Sequence, residues 1–167
     1  PRTGILRCSW TSHHLRPAYY MAVVPKQHAL VIVIRGTAKF SDVLTDLAAS
    51  PAPFRTGHAH KGMVQGATWL YDVLLEGIRS FLRDPPGYSV HVAGHSLGGA
   101  VAKVVGTMDG YRAVAFNSPG LLLTRRRLGL RSADLHSNVV NVIAAGDVVS
   151  AIDKLAGMTQ IIPCRMR

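Results

Sequence analysis

Hydrophobic positions along this chain switch between runs suited to strands and a stripe suited to a helix. Residues 29–35, Ala-Leu-Val-Ile-Val-Ile-Arg, are apolar and β-branched almost without a break. That is the pattern of a strand buried on both faces of a sheet. Residues 19–24 predict a strand before it, with Pro25-Lys26-Gln27-His28 as the turn. Between 63 and 82, apolar residues recur at three- and four-residue steps (Val64, Ala67, Leu70, Tyr71, Leu74, Leu75, Ile78, Leu82). This stripe predicts an amphipathic helix, stopped by Asp84-Pro85-Pro86-Gly87. A run from Ser89 to Ala93 predicts another strand, a sharp glycine-rich turn follows, and a helix runs on to about Met108. Residues 111–116 and 139–144 predict two more strands, the second read as the last clear one. Weaker patterns predict a short helix capped by Ser41 and running through Leu47, a loop over 48–61, and a short helix near 151–155.

Strands alternating with helices indicate an α/β layer structure, with helices flanking a mostly parallel central sheet. The 167 residues fit one domain, and no internal repeat or linker divides them. The start at Pro1 rather than methionine is what a piece of a longer chain would show. With 48% hydrophobic and 17% charged residues the composition is globular, not disordered. No signal peptide is visible, and the longest apolar run falls far short of the roughly 20 residues of a membrane span. Cys8 and Cys164 match no metal-ligand spacing and are read as free thiols of a reducing compartment, a single bond between them staying open. A net charge of +10 points to an acidic partner, either anionic lipid head groups or nucleic acid, against a solvated basic face without a partner. Scattered basic residues without interleaved aromatics weigh against nucleic acid.

The turn after the third predicted strand carries the chemistry. Gly94-His95-Ser96-Leu97-Gly98 is a G-x-S-x-G elbow in its required setting of strand, turn and helix. A serine at such a turn takes a strained backbone conformation, and the flanking glycines let neighbouring backbone approach. Its hydroxyl then sits at a helix N-terminus, whose N–H groups favour developing negative charge. A serine nucleophile needs a base, and the base needs an orienting carboxylate. Asp147, just past the strand over 139–144, is the candidate acid, with Asp153 a weaker second choice. The N–H of Leu97 is the first oxyanion donor. Thr37, after Arg35-Gly36 at the end of an adjacent strand, is the second.

Six ordered blocks resemble the class 3 lipases, and within them the sn-1-specific diacylglycerol lipases. They are Val31 to Thr37, Asp42 to Leu47, His60-Lys61-Gly62-Met63, Gly94 to Gly99, Ala115 to Gly120 and Gly146 to Val149. The resemblance implies an α/β-hydrolase fold, here C-terminally truncated, and hydrolysis of an acyl ester in a glycerolipid such as diacylglycerol. It implies Ser96 as nucleophile, Asp147 as triad acid, Thr37 and Leu97 as oxyanion donors, and no cofactor or metal. The site is then expected to work at a membrane, at its cytoplasmic face, with Arg125, Arg126, Arg127 and Arg131 meeting anionic head groups beside Leu121-Leu122-Leu123.

One member of the triad is missing from the pattern. The family's catalytic histidine lies beyond the acid, whereas all eight histidines here (13, 14, 28, 58, 60, 91, 95 and 136) precede Asp147. Three readings follow: the base lies past Arg167; the chain is a catalytically inactive lipid- or partner-binding pseudoenzyme; or an upstream histidine has been recruited.

Overall fold

The computed structural model describes residues 4–12, 16–36, 51–54, 57–83 and 87–164, with backbone alone for 51–54 and 57–67. The predicted helix capped by Ser41, and Thr37 itself, lie outside the described residues. Seven strands form the main sheet: β1 (Gly4–Ser9), β2 (Tyr19–Val24), β3 (Ala29–Ile34), β6 (Ser89–His95), β7 (Arg112–Phe116), β8 (Val139–Ala144) and β9 (Met158–Ile162), side by side in that order. The first two pairings are antiparallel and the remaining four parallel. Three α-helices are described: α1 (Lys61–Arg83), α2 (Leu97–Asp109) and α3 (Ser132–Asn138).

Strand order explains where the helices lie. From β3 onward every new parallel strand is added on the same side of the previous one, so right-handed crossovers all fall on one face. Burial agrees. Met21, Ile32, Val92, Ala113 and Val139 pair in a row across five strands, each no more than 3% exposed. On this face Leu70, Leu74 and Ile78 of α1 and the apolar side of α2 complete the core. The row on the other face, Tyr20, Val33, Ala93, Val114 and Val140, is only partly covered, and Met158 beside it is 70% exposed. Helices on one face only leave this second apolar face without a described helix.

Several expectations change. Residues 48–61 are not simply a loop, because β4 (Pro51–Phe54) and β5 (Gly57–His60) pair as an antiparallel hairpin. Both strands of a two-stranded hairpin are edges, where proline's missing N–H is tolerated. The helix expected near 151–155 is a set of turns and bends with Asp153 at φ +62°, outside the helical region. Residues 139–144 are not the last strand, since β9 adds in parallel beyond them. Cys8 is on edge strand β1, and Cys164 follows β9 at the opposite edge. Six strand spacings, ~29 Å, separate those edges, far beyond disulfide reach, and both thiols are free and exposed. No described helix is long and apolar enough to cross a membrane.

Candidate active site

Ser96 stands between β6 and α2 with φ +54° and ψ −128°. A non-glycine residue held there costs on the order of 1–3 kcal/mol, so its surroundings must enforce it. They do so through backbone contacts. The Ser96 N–H donates to the Phe116 carbonyl at 2.9 Å, and its own carbonyl accepts from Gly99 and Ala100 to start α2. A Cβ on Gly94 would lie 2.2 Å from the Gly98 carbonyl oxygen, and one on Gly98 would lie 2.6 Å from that of Ile34. A Cβ on Gly99 would meet Ser118 at 2.7 Å. Gly94 and Gly98 are therefore places where helix and strand touch backbone to backbone, and Gly99 is where the helix meets the Ser118 side chain.

The end of β3 closes on the same point. A Cβ on Gly36 would stand 2.4 Å from the His95 carbonyl oxygen and 3.1 Å from the Ser96 Cβ. Leu97 is the first residue of α2, so its N–H is among those that no helix carbonyl takes. A cavity of about 300 Å³ opens beside the elbow, lined by Val33, Arg35, Gly36, His95 and Phe116 among others.

Asp147 follows β8, two strands from the elbow strand, at the same end of the sheet. Its N–H donates to Ala144, and its Oδ2 accepts the Ser150 N–H at 2.8 Å. The turn is also fixed from β7, since Asn117 at φ +43° takes the Ala144 N–H on its Oδ1 at 2.8 Å. Sequence, strand order and turn geometry thus bring Ser96, Leu97, Gly36 and Asp147 to one end of the sheet.

The family model for class 3 lipases matches residues 31–154. The chain belongs to the class 3 lipases. It is 34% identical over 137 residues to diacylglycerol lipase-beta of Mus musculus, spanning 74% of this chain and 20% of that protein. It is 31% identical over 103 residues to a lipase of Rhizopus niveus, spanning 60% of this chain and 26% of that one. The α/β-hydrolase fold is shared with the Lip2 lipase of Yarrowia lipolytica, at a TM-score of 0.72 and 21% identity, over 97% of this chain and 66% of that structure. The chain spans a fifth to about a quarter of the length of these two curated relatives.

In this class 3 lipase the described histidines occupy other places. His28 is a left-handed turn residue whose ring lies tilted beside Tyr88, at the end of the sheet away from the elbow. His91 bonds the Ser89 hydroxyl, and His136 in α3 bonds Ser132, again at the far end. His95, expected to be turned into packing, is exposed, in register with Phe116 on the partly covered face. His58 and His60 lie on β5, whose side chains are outside the description, as are His13 and His14.

Asp153, the second candidate for the acid, lies among the bends that follow the Asp147 turn. Its carboxylate takes the N–H of Leu123, the N–H of Thr124 and the Thr124 hydroxyl, so it anchors the arginine-bearing segment. In that segment Leu121 is buried and Leu122 packs on the core, so of the three leucines only Leu123 faces outward, at 62% exposed. Arg125 turns inward onto the Leu122 carbonyl, and Arg131 pairs with Asp134. Arg126 and Arg127 stand exposed.

Lys103 and Asn141 are buried polar residues that escaped the sequence reading. Lys103 is 2% exposed in α2, and Asn141 is 1% exposed in β8. Each is a single polar residue inside an apolar run, Ala102-Lys103-Val104 and Val140-Asn141-Val142, which is the signal that could have found them.

Proposed function

We propose that this chain is the core of a serine hydrolase that cleaves an acyl ester of a glycerolipid, with diacylglycerol as the leading substrate. The observation that carries the reading is the strained Ser96 elbow with Gly36 packed against it. Ser96 Oγ attacks the ester carbonyl, and the ester C–O bond breaks so that the glycerol-side alcohol leaves with the proton taken from the serine. Water then hydrolyses the acyl-enzyme to free fatty acid and Ser96. Leu97 N–H and Thr37, the residue after Gly36, hold the oxyanion. Asp147 orients a histidine that takes the serine proton. Similarity to a diacylglycerol lipase-beta supports the substrate class.

The base is proposed to come from polypeptide beyond Arg167. In support, β9 runs parallel to β8 and ends level with Ala144, delivering the chain to the elbow end of the sheet. Without its base, a triad retains only ~10³–10⁴-fold over water, so residues 1–167 alone are a poor catalyst. Contact with an anionic membrane surface is proposed through Leu123, Arg126 and Arg127, with Arg131, exposed but paired with Asp134, beside them, each unpaired cation adding about 1 kcal/mol.

The test is fatty-acid release from vesicles containing diacylglycerol, with and without anionic lipid, by the polypeptide extended through its own reading frame. Release lost in Ser96→Ala, and weakened with Arg126→Ser/Arg127→Ser only on anionic vesicles, supports both parts. Vesicle binding without release marks a lipid-binding pseudoenzyme instead.

A further inference from the structure

A lysine with its ordinary pKa carries a charge at neutral pH, yet Lys103 is buried within the helix that Ser96 heads. Its amine donates to the Pro119 carbonyl and, at 3.3 Å, to Asn141 Oδ1. Burial lowers its pKa to about 7, while the Asp153 carboxylate pulls the other way. A neutral amine has two N–H bonds, matching these two acceptors. Asn141 passes the connection on. Its Nδ2 donates to the Ala156 carbonyl at 2.9 Å and to that of Met158 at 3.3 Å.

These bonds hold both arms of the segment that carries Asp147. Strand β8 leads into it through Asn141, and residues 156–158 lead out of it under the same amide. Its middle is tied to the loop after β7, through Gly120 N–H to the Ile152 carbonyl and Leu122 N–H to that of Lys154. Pro119 belongs to that loop, beside the Ser118 that packs against Gly99 of the elbow. Lys103 is where the three pieces meet: nucleophile helix, β7 loop and acid-bearing segment. An apolar side chain would fill the volume but leave the Pro119 carbonyl and the Asn141 oxygen buried without these donors.

We propose that Lys103 is a positioning residue for the hydrolysis, locking the Asp147 segment to the helix that begins after Ser96. The proposal rests on the serine-hydrolase reading, so its test has one arm that needs no chemistry. In Lys103→Met, amide hydrogen exchange over 145–152 should quicken at least tenfold while β3 and β6 keep their protection. In the polypeptide extended past Arg167, phosphonylation of Ser96 by a fluorophosphonate should slow at least tenfold with the same substitution. Should Lys103→Met not fold, Lys103→Gln, with a shorter donor, is read the same way. Unchanged protection over 145–152, or an equal loss of protection in every strand, overturns the positioning role. Failure of the unsubstituted protein, extended past Arg167, to label at Ser96 sinks the hydrolase reading instead, and the exchange arm still decides whether Lys103 holds the segment.

Discussion

Gly36 lies against Ser96 so closely that a methyl on its Cα would stand 3.1 Å from the serine Cβ. The same methyl would meet the His95 carbonyl oxygen at 2.4 Å, and neither backbone can yield without moving the elbow. Gly36→Ala therefore overpacks the site, costing about 1–3 kcal/mol. Urea unfolding should show that loss, and Ser96 labelling per folded molecule should fall at least tenfold. Wild-type labelling in the variant would mean that the end of β3 takes no part in the site.

Asn117 holds the start of the Asp147 turn through its bond to the Ala144 N–H, and does so at φ +43°. Asn117→Gly tolerates the conformation but loses the bond, whereas Asn117→Ala loses both. The expected order of stability is wild type, then Gly, then Ala, with the first step worth about 1 kcal/mol. Thermal midpoints of the three proteins check it.

The two aspartates should separate cleanly. Asp153→Ala removes the acceptor of three donors around Thr124 and should destabilise by about 1–3 kcal/mol with little change in rate per folded molecule. Asp147→Asn in the extended protein should keep most of the stability and lower the hydrolytic rate by about 10⁴-fold. Equal rate losses in both variants would contradict the assignment of the acid.

Lys103 also makes stability depend on pH. In the unfolded chain it stays protonated up to its ordinary value of 10.5, but in the folded protein only below about 7. Between those values the unfolded chain binds more protons, so stability rises with pH across the window, by at most ~1.4 kcal/mol per unit. Below about pH 7 this contribution is flat. Urea midpoints at about pH 6, 7.5 and 9 should climb for the wild type and stay level for Lys103→Met.

Much of the scaffold is legible in the chain because burial imposes a pattern. Strands Tyr19–Val24 and Val139–Ala144 coincide with their apolar runs, and α1 extends its stripe by only one or two residues at each end. Edge strands escape that logic. Every residue of β9 is exposed, and β1 is nearly so with a register shift between Ile5 and Arg7; neither presents a burial alternation to read. Ser96 is legible because the elbow spaces its glycines within five residues, Gly94 packing on the Gly98 backbone. Lys103 and Asn141 lie 38 positions apart and meet only when helix and strand pack, so no local pattern announces their bond. The same holds for Asp153, whose partners are about 30 residues away.

The central claim, that Ser96 is an activated nucleophile, is tested most directly by fluorophosphonate labelling of the polypeptide extended past Arg167. Stoichiometric modification at Ser96, abolished by Ser96→Ala and at least a hundredfold slower in residues 1–167 alone, is the predicted result. Absence of Ser96-dependent labelling in the extended, folded protein would contradict it.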